Sequence, residues 1–454
     1  MIKTSITDYK KELSSKLLKF RKKITCPHCW TTFKPHELLS IAVATEYVGD
    51  EQLGTDVQMR FLPCRFDIEG HPLDPEGIVC RDYACPNCHL ILPRDLIEFP
   101  VSFISIIGAP SSGKSYFLAS MLRRAKIMLS THFQTSVIDT HAKMNDQIND
   151  YEQTLFLRKE GVNKVIIEKT REYGEGYNTS IVNGQIMRYP QPYMFTLTPS
   201  QNHIFAKSIN PSVLCLYDNA GESFLPGRES SLEPVTDHLK QCGVFFYIFD
   251  PLQYVPIRTV CRQYSKDPQL EKKVDSLLQH SILSETIHRI KKSKGLDPSQ
   301  KVNNPVFVIA TKADVWKTFL GDANFNPPYG RIQSNNVNDN VNMYAVKPQR
   351  IQNMSNLLRD ILFQYVPEFV MAIENLSSDV TYFPVSATGC SPIETTMEQG
   401  VQKLEFDVNS IDPIWSEVPL FYALTKIGNI IPFGRSGSQD CSSDTQTIMA
   451  SSLE

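Results

Sequence analysis

The sequence has no apolar run approaching the roughly 20 residues that a bilayer-spanning helix needs, and its N-terminus has no signal-peptide apolar core. A membrane-embedded protein is therefore not expected, and the reading is cytoplasmic. It also lacks a charge excess of either sign. Forty-six Lys and Arg face 49 Asp and Glu, a net charge of −3, which argues against an extensive polyanion-binding surface but leaves room for a local basic patch. An apolar content of 41% and a charged content of 21% are those of an ordinary globular chain. At 454 residues it can bury one large core and a smaller one. Eleven cysteines are not scarce, but their paired C-x-x-C spacing fits a reducing compartment with metal-bound thiolates better than disulfides.

The chain is organised around Phe103–Leu122. The apolar run Phe103–Ile107 reads as a buried parallel strand, interrupted only by Ser105. Gly108, Gly113, Lys114 and Ser115 then match G-x-x-x-x-G-K-[ST], and a helical pattern follows through Phe117, Met121 and Leu122. Strand, glycine loop and helix in that order are the context of a phosphate-binding loop. Backbone N–H groups across Gly108, Ser111, Ser112, Gly113 and Tyr116, with the helix N-terminus, would surround the phosphates. Lys114 would reach the β- and γ-phosphates, and Ser115 would ligate Mg²⁺.

Further along, Val213–Glu222 is an apolar strand running into Asp218-Asn-Ala-Gly221-Glu222. Asp218 would hold Mg²⁺ through water, and the Gly221 N–H would meet the γ-phosphate, so that the loop beyond can move when that phosphate leaves. A strand at Val244–Phe249 ends at Asp250-Pro251, and a long helical region is expected over roughly 268–294. The strand Pro305–Ala310 then ends in Thr311-Lys312-Ala313-Asp314. A carboxylate there can accept from guanine N1–H and the 2-amino group together, whereas adenine would leave it unsatisfied. Sites built on such bonding discriminate on the order of 10⁴-fold. The Lys312 stem would pack along the base and its ammonium would reach the loop. Ser386-Ala387, after the strand Thr381–Val385, would bring a backbone N–H to the guanine O6. A helix near 350–375 and a closing helix over Phe421–Ile431 complete the pattern.

Ahead of this domain stand Cys26-Pro-His-Cys29 and Cys85-Pro-Asn-Cys88, four thiolates suited to a closed, structural tetrahedral Zn²⁺ site. The knuckles are 55 residues apart, at 30–84, against the usual 15–20 or so. Residues 31–84 thus read as an insertion with strands at Ile41–Tyr47 and Val57–Phe61. Cys64, Cys80, His28 and His89 are spare candidate ligands. Residues 1–24, with eight Lys/Arg and two acids, suggest a basic amphipathic helix, either a lead-in to the next domain or a contact for a membrane surface, nucleic acid or protein.

The fold expected is α/β: a three-layer P-loop GTPase domain with a mainly parallel sheet over 99–432, preceded by the ribbon at 25–98. Insertions are expected at about 130–200, β-rich and holding the first switch, and at 317–348, rich in Asn. A disordered tail is expected at 433–454.

The motif order resembles Ras-like and translation-factor-related P-loop GTPases over about residues 100–430. Combined with the Cys-Pro-x-Cys ribbon and Asp218-Asn-Ala-Gly-Glu222, it is similar to the bacterial "double-GTPase" family, which is proposed to act in antiphage and other conflict systems beside a second GTPase-like protein. The resemblance implies GTP and GDP as ligands, Mg²⁺, and a second GTPase-like partner. Where Ras-like enzymes carry a water-orienting Gln, this chain has Glu222, whose charge beside a γ-phosphate is unfavourable without an offsetting cation. Slow intrinsic hydrolysis is expected, raised by a partner's arginine. Arg123 and Arg228 are the internal candidates for that role, and Thr179 or Thr170 for the Thr of the first switch. Two other classes compete. A P-loop ATPase with a nucleic-acid-contacting ribbon is disfavoured by Asp50, Glu51, Asp56, Asp67, Glu69, Asp74 and Glu76 on the insertion. A nucleotide-binding scaffold with little turnover is left open by Glu222.

Overall fold

The computed structural model describes residues 14, 16–157, 163–167, 177–206, 208–218, 224–225, 237–271, 276–332, 343–396, 402–428 and 430–432. Seven strands form the central sheet: β1 Val101–Gly108, β2 Thr135–Asp139, β3 Tyr193–Pro199, β4 Ser212–Asp218, β5 Val244–Phe249, β6 Val306–Ala310 and β7 Val380–Pro384. Their order across the sheet is β2-β3-β4-β1-β5-β6-β7. The run from β4 to β7 is parallel, while β3 is antiparallel to both of its neighbours. Every residue of β5 and β6 is buried, as expected of parallel strands covered on both faces, and this explains their unbroken apolar runs.

Besides single turns at Arg94–Glu98 and Ala313–Trp316, the described helices are α1 Lys114–His132, α2 Asp146–Phe156, α3 Val255–Cys261, α4 Ser276–Ser293, α5 Pro348–Tyr365, α6 Pro367–Leu376 and α7 Val418–Ile427. Side chains alternate across the strands and so meet different layers. Phe246 packs against Phe117 of α1 and Phe307, and Phe307 stacks on Tyr422 of α7. Phe249, three residues on in the same strand, stacks on Phe369 of α6, with ring centroids 4.0 Å apart. The domain is thus a helix–sheet–helix sandwich. No described helix is long and apolar enough to cross a membrane.

Several expectations need correction. The segment 130–200 is not simply an insertion, because β2 and β3 extend the central sheet, while among its described residues the hairpin Tyr177–Val182/Gln185–Pro190 and the short strand Lys164–Val165 pair outside it. The helix expected at 350–375 breaks at Pro367, whose ring removes a backbone donor, giving α5 and α6. The long helix expected from 268 is a short 3₁₀ turn at Pro268–Glu271 followed by α4. The Asn-rich stretch is bounded by the hairpin Tyr329–Arg331/Tyr344–Val346, and 333–342, the tail 433–454 and most of the basic N-terminus lie outside the described residues. At the end of that N-terminal segment Leu18 is buried and the Arg21 N–H donates to the Ile97 carbonyl, which ties the stretch to the ribbon.

The ribbon and the sandwich share one continuous core. The insertion between the knuckles contributes Leu39–Ile41 and Arg60–Phe61 to a four-stranded sheet with Tyr83–Ala84 and Ile91–Leu92. Three of the seven acids from Asp50 to Glu76 are engaged within the fold, while Glu51, Asp56, Glu69 and Glu76 are exposed. Asp74 accepts from the N–H groups of Val43, Ala44 and Ile78, Asp67 pairs with His71, and Asp50 pairs with His89.

Candidate functional site

β1 lies between β4 and β5: the chain runs from β1 to β2–β4 on one side of it and from β5 to β6 and β7 on the other, and the crevice at the carboxyl ends of the strands at such a switch point is the place where these sheets bind ligands. The loop after β1 opens it. Gly108 is pressed against β5: a Cβ there would stand 2.8 Å from both the Cβ and the carbonyl oxygen of Ile248. Ser111 and Gly113 adopt left-handed conformations, φ 62° and 89°, which turn the chain into α1 at Lys114. Ser112 is buried, and its hydroxyl has no hydrogen-bond partner among the described residues.

Lys114 and Asp218 meet in the crevice, buried, with the ammonium 3.4 Å from one carboxylate oxygen. Among the described residues, neither Asp218 oxygen accepts an aligned hydrogen bond. Burial pushes the carboxyl pKa up, and Lys114 partly opposes that rise. A dry carboxylate with so few donors is poorly satisfied by protein alone. It suits a hard cation, which takes oxygen ligands, and Ser115 lies in the first turn of α1 beside Lys114. Gly221, Glu222, Arg228 and Thr170 lie outside the described residues. The side chain of Tyr116, as distinct from its backbone N–H, is engaged elsewhere, its hydroxyl accepting from the Ile167 N–H and its ring packing on Phe406. Thr179 is an exposed residue of the hairpin that bonds to Gln52 of the ribbon insertion through Ser180 and Ile181. Arg123 is half-buried on α1.

At the other end of the crevice, the residues after β6 and β7 come together. Burial raises the pKa of Asp314, and a hydrogen bond from the Ser386 side chain lowers it. The Ala313 N–H donates to the Val385 carbonyl, and the Val385 N–H to Ala310. One detail differs from expectation and another narrows it. Lys312 is left-handed, φ 59°, and its ammonium goes to Asp250, 2.6 Å away, instead of to the loop, because that buried carboxylate at the end of β5 needs a counter-charge. The Ser386 N–H donates to the Ile414 carbonyl, so within Ser386-Ala387 the backbone group left for a base edge is that of Ala387.

Thr311, part of the same motif, acts differently from its neighbours. Its hydroxyl donates to the carbonyl of Ser112 at 2.8 Å and lies 3.2 Å from that of Phe249. Sequence reasoning placed Thr311 in the base motif but missed this link to the phosphate loop. It also missed Asp250, whose one signal was a lone acid ending an aromatic strand.

The four knuckle cysteines form the second site. Their sulfur atoms lie within 4.8 Å of one another, with Cys26–Cys88 at 3.8 Å and Cys29–Cys85 at 3.6 Å. Tetrahedral Zn²⁺ with Zn–S bonds of about 2.3 Å requires a sulfur separation of about 3.8 Å, so the set fits zinc. The two knuckles repeat each other. The N–H groups of His28 and Asn87 point at Cys26 and Cys85 sulfur, and Trp30 and His89 are both left-handed. The spare candidates have other roles: His89 is held by Asp50, the buried His28 has its pKa lowered to about 4 by desolvation and lies 3.3 Å from the Ile91 carbonyl, Cys64 is exposed, and Cys80 is buried outside the cluster.

The chain matches no protein-family model and no curated protein.

Proposed function

We propose that this chain binds GTP with Mg²⁺ and hydrolyses it slowly, as a switch that acts with a partner. The observation that carries the reading is the buried, donor-poor Asp218 facing Lys114 at the point where the sheet order reverses. Lys114 and the N–H groups of the turn from Ser111 to Ser115 would bind phosphate oxygens, with Ser115 and Asp218 holding the metal. Mg²⁺ supplies charge neutralisation for the phosphates when bound. Asp314, with Ser386 beside it, supports guanine as the base, because a half-buried carboxylate next to a hydroxyl matches a paired N–H edge. The Gly221 and Glu222 roles, the second GTPase-like partner and the bacterial defence setting rest on the motif resemblance. The Cys₄ cluster supports a structural Zn²⁺.

Calorimetric titration with GDP, a non-hydrolysable GTP analogue and ADP, each with and without Mg²⁺, tests the reading. Guanine-selective, Mg²⁺-strengthened binding is expected. Equal affinity for ADP and GDP would overturn the guanine assignment, and no binding of any of them would overturn the nucleotide reading.

A further inference from the structure

The first knuckle faces inward. The hydroxyl of Tyr217, the residue before Asp218 on β4, donates to the Pro27 carbonyl at 2.6 Å and accepts from the Trp30 indole N–H at 3.1 Å. Both partners belong to the knuckle: Pro27 lies between Cys26 and Cys29, and Trp30 follows Cys29 in a left-handed conformation closed by its N–H to the Cys26 carbonyl. Tyr217 is 1% exposed. Its ring lies 4.6 Å from that of His238, which is itself buried and 2.8 Å from the Ser105 hydroxyl. Ser105 is the register partner of Tyr217 on β1, three residues before Gly108. One buried side chain therefore bonds the metal knuckle from β4, at the residue preceding Asp218, and packs on His238, which in turn bonds Ser105 of β1 ahead of the glycine loop.

Packing alone does not account for this. A phenylalanine would fill the same space, and a buried hydroxyl is useful only where it is fully bonded, which here happens only when the knuckle holds its turn. Closing the four thiolates around a metal fixes that turn. A ribbon serving only as an outward docking module would have no need to bond the strand that carries Asp218.

We propose that Tyr217 is a positioning residue through which the zinc-bound knuckle fixes the carboxyl end of β4, so that zinc and Mg²⁺–nucleotide strengthen each other's binding. This inference rests on the nucleotide reading above. Coupling between sites is reciprocal, so the factor by which zinc tightens nucleotide binding is the factor by which nucleotide tightens zinc binding.

The test is equilibrium competition for zinc between the full chain and a chromogenic chelator, with and without a saturating Mg²⁺–GTP analogue. The expected result is about tenfold tighter zinc binding with nucleotide. Tyr217→Phe should still bind one zinc and still bind nucleotide, with that ratio reduced to about one. Trp30→Phe, which removes the indole donor and part of the ring but leaves the Tyr217–Pro27 bond, should give an intermediate ratio and serves if Tyr217→Phe folds poorly. Nucleotide binding by the wild type with zinc affinity unchanged by nucleotide would overturn the coupling while leaving the nucleotide reading intact. A full ratio retained in both variants would also overturn it, since the linkage would then come from global folding. No nucleotide binding by the zinc-loaded wild type would remove both readings together.

Discussion

The hydroxyl of Thr311 donates to the carbonyl of Ser112 across 2.8 Å, joining the end of β6 to the turn before α1. The strand end expected to face the base and the loop expected to hold phosphate are therefore braced against each other. A ligand spanning both ends of the crevice would meet a frame already set, which lowers the ordering that binding requires.

Thr311→Val keeps the shape and removes the donor. The buried Ser112 carbonyl loses a partner, so the chain should lose about 1 kcal/mol of stability. Nucleotide affinity should fall about tenfold, equally for GDP and the GTP analogue, with base preference unchanged. Chemical denaturation and calorimetry check the two effects. A loss of guanine preference instead would assign Thr311 to the base.

Gly108→Ala asks whether the contact between β1 and β5 is as tight as the geometry indicates. The added Cβ would sit 2.8 Å from both the side chain and the carbonyl oxygen of Ile248, and the carbonyl cannot rotate away without breaking the sheet. The expected cost is about 2 kcal/mol, with nucleotide binding lost through displacement of the loop. A variant with wild-type melting and affinity would show that this approach is loose.

Lys312→Met would leave Asp250 at the end of β5 without its counter-charge. The carboxylate would still accept from the Leu252 N–H, but an unpaired buried charge costs about 3 kcal/mol. Lys312→Met with Asp250→Asn should recover most of that loss, because the two groups then no longer form half of an ion pair. Urea denaturation of the single and double variants measures the recovery, and strict additivity would show that the pair contributes nothing.

Chelation tests the ribbon. Protein purified without chelator should carry about one zinc per chain by elemental analysis. Cys88→Ser should lose the metal and unfold the knuckles, because structural zinc contributes on the order of 10 kcal/mol to such sites. The Trp30 indole, buried against Tyr217, should then shift its emission to the red. A zinc-free protein with Trp30 still buried would refute the metal assignment.

The legible parts of this molecule were those written in short, local patterns. The glycine loop, the two knuckles and the runs Val244–Phe249 and Val306–Ala310 each carry their geometry in adjacent residues, since buried parallel strands and tight turns restrict which residues fit. β2 and β3 differ in why their place in the central sheet is not legible: the edge strand β2 has a mixed pattern, with only Thr135 buried and Ser136 and Ile138 exposed, whereas β3 is buried over Tyr193–Leu197 but carries no local mark of the sheet it joins. The bonds that organise the site are long-range and have no local signature. Thr311 to Ser112 spans 199 residues and Tyr217 to Trp30 spans 187. Lys312 was assigned to the loop because nothing near it in sequence reveals that β5 ends in a buried acid.

Asp314 yields a prediction with a definite sign. Burial raises its folded-state pKa above the unfolded value, with the Ser386 hydroxyl opposing. The folded chain thus holds a proton on Asp314 more readily than the unfolded chain does, so this group lowers stability as pH rises from the ordinary Asp range through the folded pKa. Above that window the penalty is complete, and below it the penalty is gone. Without nucleotide, Asp314→Asn should therefore melt higher than wild type at pH 7, and the difference should shrink toward zero as pH falls to about 4. The same variant should lose the preference for GDP over ADP, since an amide cannot present two acceptors to the guanine N–H edge. A site kept at the expense of stability is what a binding carboxylate entails. If Asp314→Asn melts lower at pH 7 and keeps its guanine preference, Asp314 is a structural acceptor for Ser386 and the base is read elsewhere.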